Sequence, residues 1–347
     1  MWLKIRITRL TAMSYTTTHE HLFAELDRIE RIIETHTVDG QPSIDSSDAV
    51  DERIDPTALK LAVPPDDSEA IREQRKTIQQ QCRTSDQRLR LRVLAAVSDL
   101  SSHHLDILLL ALAPHLDSEC ETQFQQAHDD HAARRPTRRY IETLFGRTPA
   151  ERLAARRLVD RNSPLREYGL IELHSSASGT SGRKNHLIVP SERVVEYLSG
   201  DDSVDPQLVD EIAVHSSGDG VDDRAADTPV DDLVVSDEIS QRVSSLATQD
   251  EPTRCYWYGP ASEKQRAVDV VFDGQYLSAD LRAVLRADAL EWLVREAALL
   301  GRPLHLHNGT AAVDDPETTC SLSAVFEVCD GLQTDLIITG RESWIPT

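Results

Sequence analysis

The stretch Cys255-Tyr256-Trp257-Tyr258-Gly259-Pro260-Ala261-Ser262-Glu263-Lys264-Gln265-Arg266 runs from an apolar segment through a turn into a helix-compatible sequence. This is the strand, loop and helix order that a phosphate cradle needs. An intact cradle reads Gly, four residues, Gly, Lys, then Ser or Thr, so that bare backbone N–H groups wrap the phosphates, the Lys neutralises them and the hydroxyl binds Mg²⁺. Here the last three places hold Lys264, Gln265 and Arg266. Lys264 puts a side chain where close backbone approach wants none, Gln265 is uncharged, and the Arg266 guanidinium has no lone pair for a cation. Gly259 and Pro260 shape the turn. Lys264 reaches a phosphate only if the loop is one residue shorter than usual. The expectation is weak or absent phosphate binding.

The strand Pro303-Leu304-His305-Leu306-His307 ends in Asn308-Gly309, and Asp335-Leu336-Ile337-Ile338-Thr339-Gly340 ends in Thr339 and Gly340. In their order these segments resemble strands of ring-type P-loop ATPases, which place an Asp and a Glu after the first and a polar residue sensing the γ-phosphate after the second. Asn308 is neutral, Gly309 has no side chain, and Thr339 alone keeps a hydroxyl. No catalytic residue is expected in this chain.

Taken together, Tyr258-Gly259-Pro260, the run Gln275 to Leu281, the helix Ala287 to Leu300, and the segments Leu304 to Gly309 and Leu336 to Arg341 resemble a degenerate first module of a two-module AAA+ ATPase, over about residues 253–347. The resemblance implies a parallel P-loop-type sheet in the order 5-1-4-3-2 and ATP-driven remodelling of a partner. A fifth strand, a helical lid and a trans-acting arginine have no counterpart before residue 347. The expected chain is therefore the front part of a larger architecture, completed by a neighbouring subunit or by the other half of a split gene.

The 347 residues carry a net charge of −22, with five lysines (Lys4, Lys60, Lys76, Lys184 and Lys264) and 39% hydrophobic content. That is room for two to three domains. An Asp-rich surface repels polyanions and anionic membranes and suits a halophilic cytoplasm. The five cysteines form no Cys-x-x-Cys pair, as expected of a reduced cytoplasmic chain. Met1 to Leu10 lacks the apolar core of a signal peptide, and its basic character points to Met13 as the natural start. No run has the length of a membrane span.

Along the chain, residues 1–35 hold an amphipathic helix in which Leu22, Phe23, Leu26, Ile29, Ile32 and Ile33 recur at intervals of three and four. Residues 36–83 read as linker with a short helix. Residues 84–200 carry dense helical periodicity, with starts at Ser101 and Thr148 and an end before Pro114, and then two short apolar runs around a Ser/Gly-rich tip. Helices closed by a two-stranded hairpin make a winged helix. Leu105 to Asp117, Pro149 to Leu158 and Ser163 to Ile171 are similar to the winged-helix region preceding the modules of the same ATPase group. Residues 201–252, whose first fifty hold fourteen acids against Arg224 and Arg242, read as an acidic disordered tether. Residues 253–347 complete the chain.

Nine arginines lie between His131 and Arg161, against only Glu142, Glu151 and Asp160. In a winged helix such a cluster invites nucleic-acid binding through Arg134, Arg135, Arg138 and Arg139, with Arg183 and Lys184 at the hairpin tip. The opposing account is that these arginines supply solubility and pair with the acidic linkers of the same molecule, which the overall charge favours. His103, His104 and Asp106, and His305 with His307, have metal-ligand composition but no evident further ligand, so no metal is expected. The leading expectation is a non-catalytic partner-binding or assembly module for an active AAA+ ATPase, with no cofactor. DNA binding is one alternative, and a residual ATP–Mg binder is another.

Overall fold

The structure is a computed structural model and describes residues 14–38, 69–127, 134–175, 186–216, 241, 243, 245, 246, 252–310 and 321–344. The chain divides into two compact units, Met1–Asp201 and Asp202–Thr347.

The first unit is helical and closed by a hairpin. Its elements are α1 (Thr18–Val38), α2 (Glu69–Arg83), α3 (Arg90–Val97), α4 (Ser102–Leu116), α5 (Ser118–Ala127), α6 (Arg138–Phe145), α7 (Pro149–Arg157), α8 (Pro164–Glu167), β1 (Ile171–Ser175), β2 (His186–Pro190) and α9 (Glu192–Ser199). Helix α4 is the centre: every residue from Asp106 to Pro114 is buried, as expected of a helix apolar all round. It starts at the expected Ser101 cap but runs through Pro114 to Leu116, because a proline this near the C-terminus removes only one late hydrogen bond. Strands β1 and β2 pair antiparallel. A third strand-like contact lies beside them, where Thr137 bridges Leu187 and Ile188 N donates to Pro136 O at 2.8 Å.

Two expected boundaries differ from the structure. Helix α1 is no separate N-terminal element, and α2 belongs to the same body rather than to a linker. Leu22, Ile29, Ile32 and Ile33 of α1 and Ile71 and Ile78 of α2 are buried. Arg28 of α1 and Arg75 of α2 both donate to Asp106 of α4, at 2.5 and 2.9 Å.

The second unit is a three-layer α/β/α sandwich. Its elements are α10 (Pro206–Ile212), β3 (His215–Ser216), β4 (Arg254–Tyr258), α11 (Ala261–Val271), β5 (Leu277–Asp280), α12 (Leu281–Arg286), α13 (Leu290–Leu300), β6 (Leu304–His307), α14 (Leu322–Gly331) and β7 (Leu336–Gly340). The sheet order is β3-β5-β6-β7-β4. The last four strands are parallel, while β3 adds antiparallel to β5, so the sheet is mixed rather than wholly parallel. Alternation along β7 assigns the layers: Leu336 and Ile338 face the core made with α10, α12, α13 and α14, whereas Ile337 faces Val268 of α11 and Phe272 just after it. The segment 201–252, expected as tether throughout, thus begins with structured chain, because Leu208, Ile212 and Val214 are buried in the larger core. Among the described residues, β4 pairs with β7 and has no strand on its other edge.

Candidate functional site

In the α/β unit, the carboxyl ends of β5, β6 and β7 and the start of α11 surround a cleft of about 730 Å³. Open parallel sheets present ligand sites at this end. Gly259, Lys264, Gln265, Asn308 and Thr339, five of the residues singled out from sequence, line it; Pro260 caps α11 beside it. The structure therefore brings the expected positions together. The side chains of Lys264, Gln265, Asn308 and Thr339 are each engaged by the protein itself.

The turn is short. Strand β4 ends at Tyr258 and α11 begins at Ala261, leaving Gly259 and Pro260 between them. Gly259 takes φ +138, a conformation that side chains rarely adopt. Lys264 lies in the first turns of α11, and its N–H donates to Pro260 O at 3.2 Å. A cradle needs such N–H groups pointing at the ligand, and here the helix has taken this one. The ammonium Nζ of Lys264 donates to Gly340 O at the end of β7. Burial, and then the Arg341 charge, hold the Lys264 pKa below the usual lysine value. Gln265 Nε2 bonds to Tyr276 Oη, which donates to Asp269 Oδ1 at 2.6 Å.

At the end of β6, Asn308 sits in the left-handed region at φ 63, which Asn tolerates, and its Nδ2 donates to Asp280 Oδ2 at 2.7 Å. It is a donor to a carboxylate where metal chemistry would want an anionic ligand. A side chain at Gly309 has no room: a Cβ there would lie 2.8 Å from Ile338 Cγ2 and 3.0 Å from Tyr256 Cε2. The Thr339 hydroxyl is bonded to His305 Nε2 at 3.0 Å. His305 is buried, and burial, reinforced by His307 and Lys264, pushes its pKa down to about 4, so the ring is neutral. Its Nδ1 lies 3.4 Å from Ser278 Oγ. Both nitrogens of His305 are thus occupied within the protein.

Sequence reasoning missed Asp280, Thr310 and Arg341 as lining residues. Asp280 had a readable signal, because an Asp at a strand end followed by Leu281-Arg282 caps the next helix; its Oδ1 accepts from Arg282 N at 2.9 Å. Thr310 Oγ1 accepts from Arg341 N at 2.8 Å, a tertiary contact with no local signature.

In the first unit, α6, the turn Gly146-Arg147-Thr148 and α7 form a helix-turn-helix. Thr148 and Glu151 make a reciprocal capping box, and the N–H donors hold the Glu151 pKa below the carboxylate range. The arginines divide. Arg138 is tied to Asp160 and lies 3.9 Å from Glu142, Arg134 lies 3.6 Å from Glu121, and Arg135 Nη1 lies 2.5 Å from His115 Nε2. Arg156 lies 4.0 Å from Glu142, and Arg152 Nε donates to Gly146 O at 3.1 Å. Arg139, Arg157 and Arg161 are exposed, with no carboxylate partner among the described residues. Arg183 and Lys184 lie outside the described residues. The first histidine group is structural: His104 joins the Ser101 capping box, His103 packs edge-on against Phe145, and Asp106 holds Arg28.

The helix-turn-helix followed by a two-stranded hairpin defines a winged-helix protein. Residues 8–212 match the family described as "Winged helix domain, variant", well over half of the chain, and the chain belongs to that family. The match begins ahead of α1 and extends past α9, in keeping with α1 and α2 packing into the same body. No curated protein and no solved structure matches the chain. No helix among the described residues is long and apolar enough to cross a membrane.

Proposed function

We propose that this winged-helix protein is a non-catalytic partner-binding or assembly module for an active ATPase of the AAA+ kind, acting in a reducing cytoplasm. Two features support it. The parallel strands follow the order 1-4-3-2 from β4 to β5, as the resemblance implies for all but its fifth strand. The free thiols of Cys82, Cys120, Cys255 and Cys329 suit a reducing setting.

The observation that carries the proposal is the start of α11 at Ala261, with Lys264 bonded through its backbone to Pro260 and through its side chain to Gly340. Calorimetric titration with Mg-ATP tests the first half, and the expected result is no binding heat. Sedimentation with a ring-forming ATPase of complete Gly-x-x-x-x-Gly-Lys-Thr sequence from the same genome tests the second. Co-sedimentation supports the proposal, and ATP turnover by this chain alone overturns it.

DNA binding is the second proposal, favoured by the family match and the exposed Arg139, Arg157 and Arg161. Phosphate contacts weaken steeply with salt. A duplex titration that shows no binding at the lowest salt tolerated removes it.

A further inference from the structure

The helical unit carries two exposed patches of opposite charge, each including an exposed apolar side chain. On α7, residues 149, 152, 153, 156 and 157 fall on one helical face, opposite the buried Ala154 and Ala155. Leu153 is 45% exposed in the middle of that face, flanked by Arg152, Arg156 and Arg157. Glu151, the one acid of the helix, is engaged by the N–H groups of Arg147 and Thr148 at 2.8 and 2.9 Å and does not neutralise them.

The second patch lies on α1 and the junction of α4 with α5. Phe23, Asp27 and Glu30 stand at positions i, i+4 and i+7 of α1 and so share a stripe. Phe23 is 54% exposed. The carboxylates of Glu30, Asp117 and Glu119 come within 4.8 Å of one another. Leu116, next to Asp117, is 40% exposed. Burial, and then the neighbouring acids Glu34, Asp117, Asp27 and Glu119, raise the Glu30 pKa, as expected where like charges are held together. Arg31 offsets part of this charge at Asp27.

We propose that the acidic patch around Phe23 and Glu30 of one copy docks on the Leu153–Arg157 face of α7 of a second copy, head to tail. Charge complementarity selects this occupant: one side offers a bulky apolar side chain among carboxylates, the other an apolar side chain among guanidinium groups. DNA fits the α7 face less well, because Leu153 holds its centre and Glu142 of α6 lies 4.0 Å from Arg156. The two patches differ, so the contact is heterologous; repeated, it generates a ring or an open chain of copies rather than a closed two-fold dimer. It involves neither the cleft nor a nucleotide and stands apart from the ATPase-module reading, whereas it competes with the DNA-binding reading for Arg157.

The test is sedimentation equilibrium of the full chain at about 0.15 M salt, where a Debye length of about 8 Å limits the general repulsion between copies. The expected mass exceeds the 38.7 kDa of one chain and rises with concentration. Asp27→Lys/Glu30→Lys removes one patch and Arg156→Glu/Arg157→Glu the other, and each variant alone is expected to sediment as a monomer with an unchanged helical circular dichroism spectrum. Mixed in equal amounts, they are expected to associate again, because the acidic patch of one meets the α7 face of the other and the two reversed patches are themselves opposite in charge. If either substitution unfolds the unit, Phe23→Ala and Leu153→Ala replace them with the same expected mass changes. A monomeric wild type at all concentrations overturns the proposal. So do variants that associate as the wild type does, or duplex DNA binding abolished by Arg156→Glu/Arg157→Glu in a chain that stays monomeric.

Discussion

Arg28 and Asp106 meet across 78 residues of sequence: Arg28 Nη2 donates to Asp106 Oδ1 at 2.5 Å, with both side chains almost wholly buried. Asp106 also accepts from Arg75 at 2.9 Å and Glu25 from Arg28 Nε at 2.7 Å, so a balanced group of two arginines and two acids joins α1, α2 and α4. A buried pair contributes little net stability when intact, but removing one partner leaves the other charged and unpaired, at a cost of about 3–5 kcal/mol. Asp106→Ala is expected to destabilise the winged-helix unit by that order, measured by urea denaturation. Amide exchange should quicken first in α1, whose tie to α4 is gone.

The same relationship bears on where the domain begins. A chain starting at residue 84 keeps α4, α6, α7 and the hairpin but uncovers the surface that α1 and α2 cover. It is expected to lose cooperative thermal unfolding in this unit, whereas a chain starting at residue 14 keeps it. Calorimetry of the two separates these outcomes.

The helix-turn-helix depends on close backbone approach at Gly146. A Cβ there would lie 2.5 Å from Arg152 N and 2.7 Å from its Cα, and backbone cannot swing aside as a flexible side chain does. Gly146→Ala is expected to cost about 1–3 kcal/mol, as other overpacking does. Thr148→Ala removes the α7 cap and is expected to cost about 1 kcal/mol. Paired denaturation curves give the order of the two.

Punctuation was legible in the sequence, and tertiary partners were not. Ser101, Thr148 and the Gly259-Pro260 turn act within a few residues of themselves, and helix starts and the strand-to-helix turn follow from them. Helix α10 and β3 were hidden because Leu208, Ile212 and Val214 are diluted among acids, so averaged composition reads as tether while three well-spaced apolar residues suffice to join a core. The cleft residues could be found in sequence because strand ends collect them. Their engagement could not: Lys264 with Gly340 and His305 with Thr339 are separated by 76 and 34 residues and meet only when the sheet is assembled.

A vacant cleft and an occupied one differ in stability. If Mg-ATP bound, a concentration 100-fold above its Kd would stabilise the unit by about 2.7 kcal/mol. The expectation is no shift in melting temperature with Mg-ATP, and none in Lys264→Ala that depends on nucleotide. Gly340→Ala is a structural control in the same place, since a Cβ there falls 1.8 Å from Tyr256 Oη and 2.6 Å from Thr310 Oγ1. It is expected to lower the melting temperature with or without nucleotide.

His305 is expected to weaken the α/β unit in acid. Its folded pKa of about 4 lies below the ordinary 6.5, chiefly because burial disfavours the charged ring. Between those values the unfolded chain takes up a proton that the folded chain refuses, so the stabilisation is complete above about pH 6.5 and is lost as pH falls toward 4. At 1.36 kcal/mol per unit the loss is on the order of 3 kcal/mol. His21 of the winged-helix unit, also buried and lowered to about 4 with Arg92 adding to the effect of burial, gives that unit the same direction of change. Replacing His305 by Gln, which does not titrate, is expected to flatten the slope of stability against pH in this window for the α/β unit while leaving the slope of the winged-helix unit as it was. Residue-resolved amide exchange from pH 7 to 4.5, corrected for the intrinsic rate, distinguishes the two units, and an unchanged slope in the α/β unit would show that His305 titrates elsewhere.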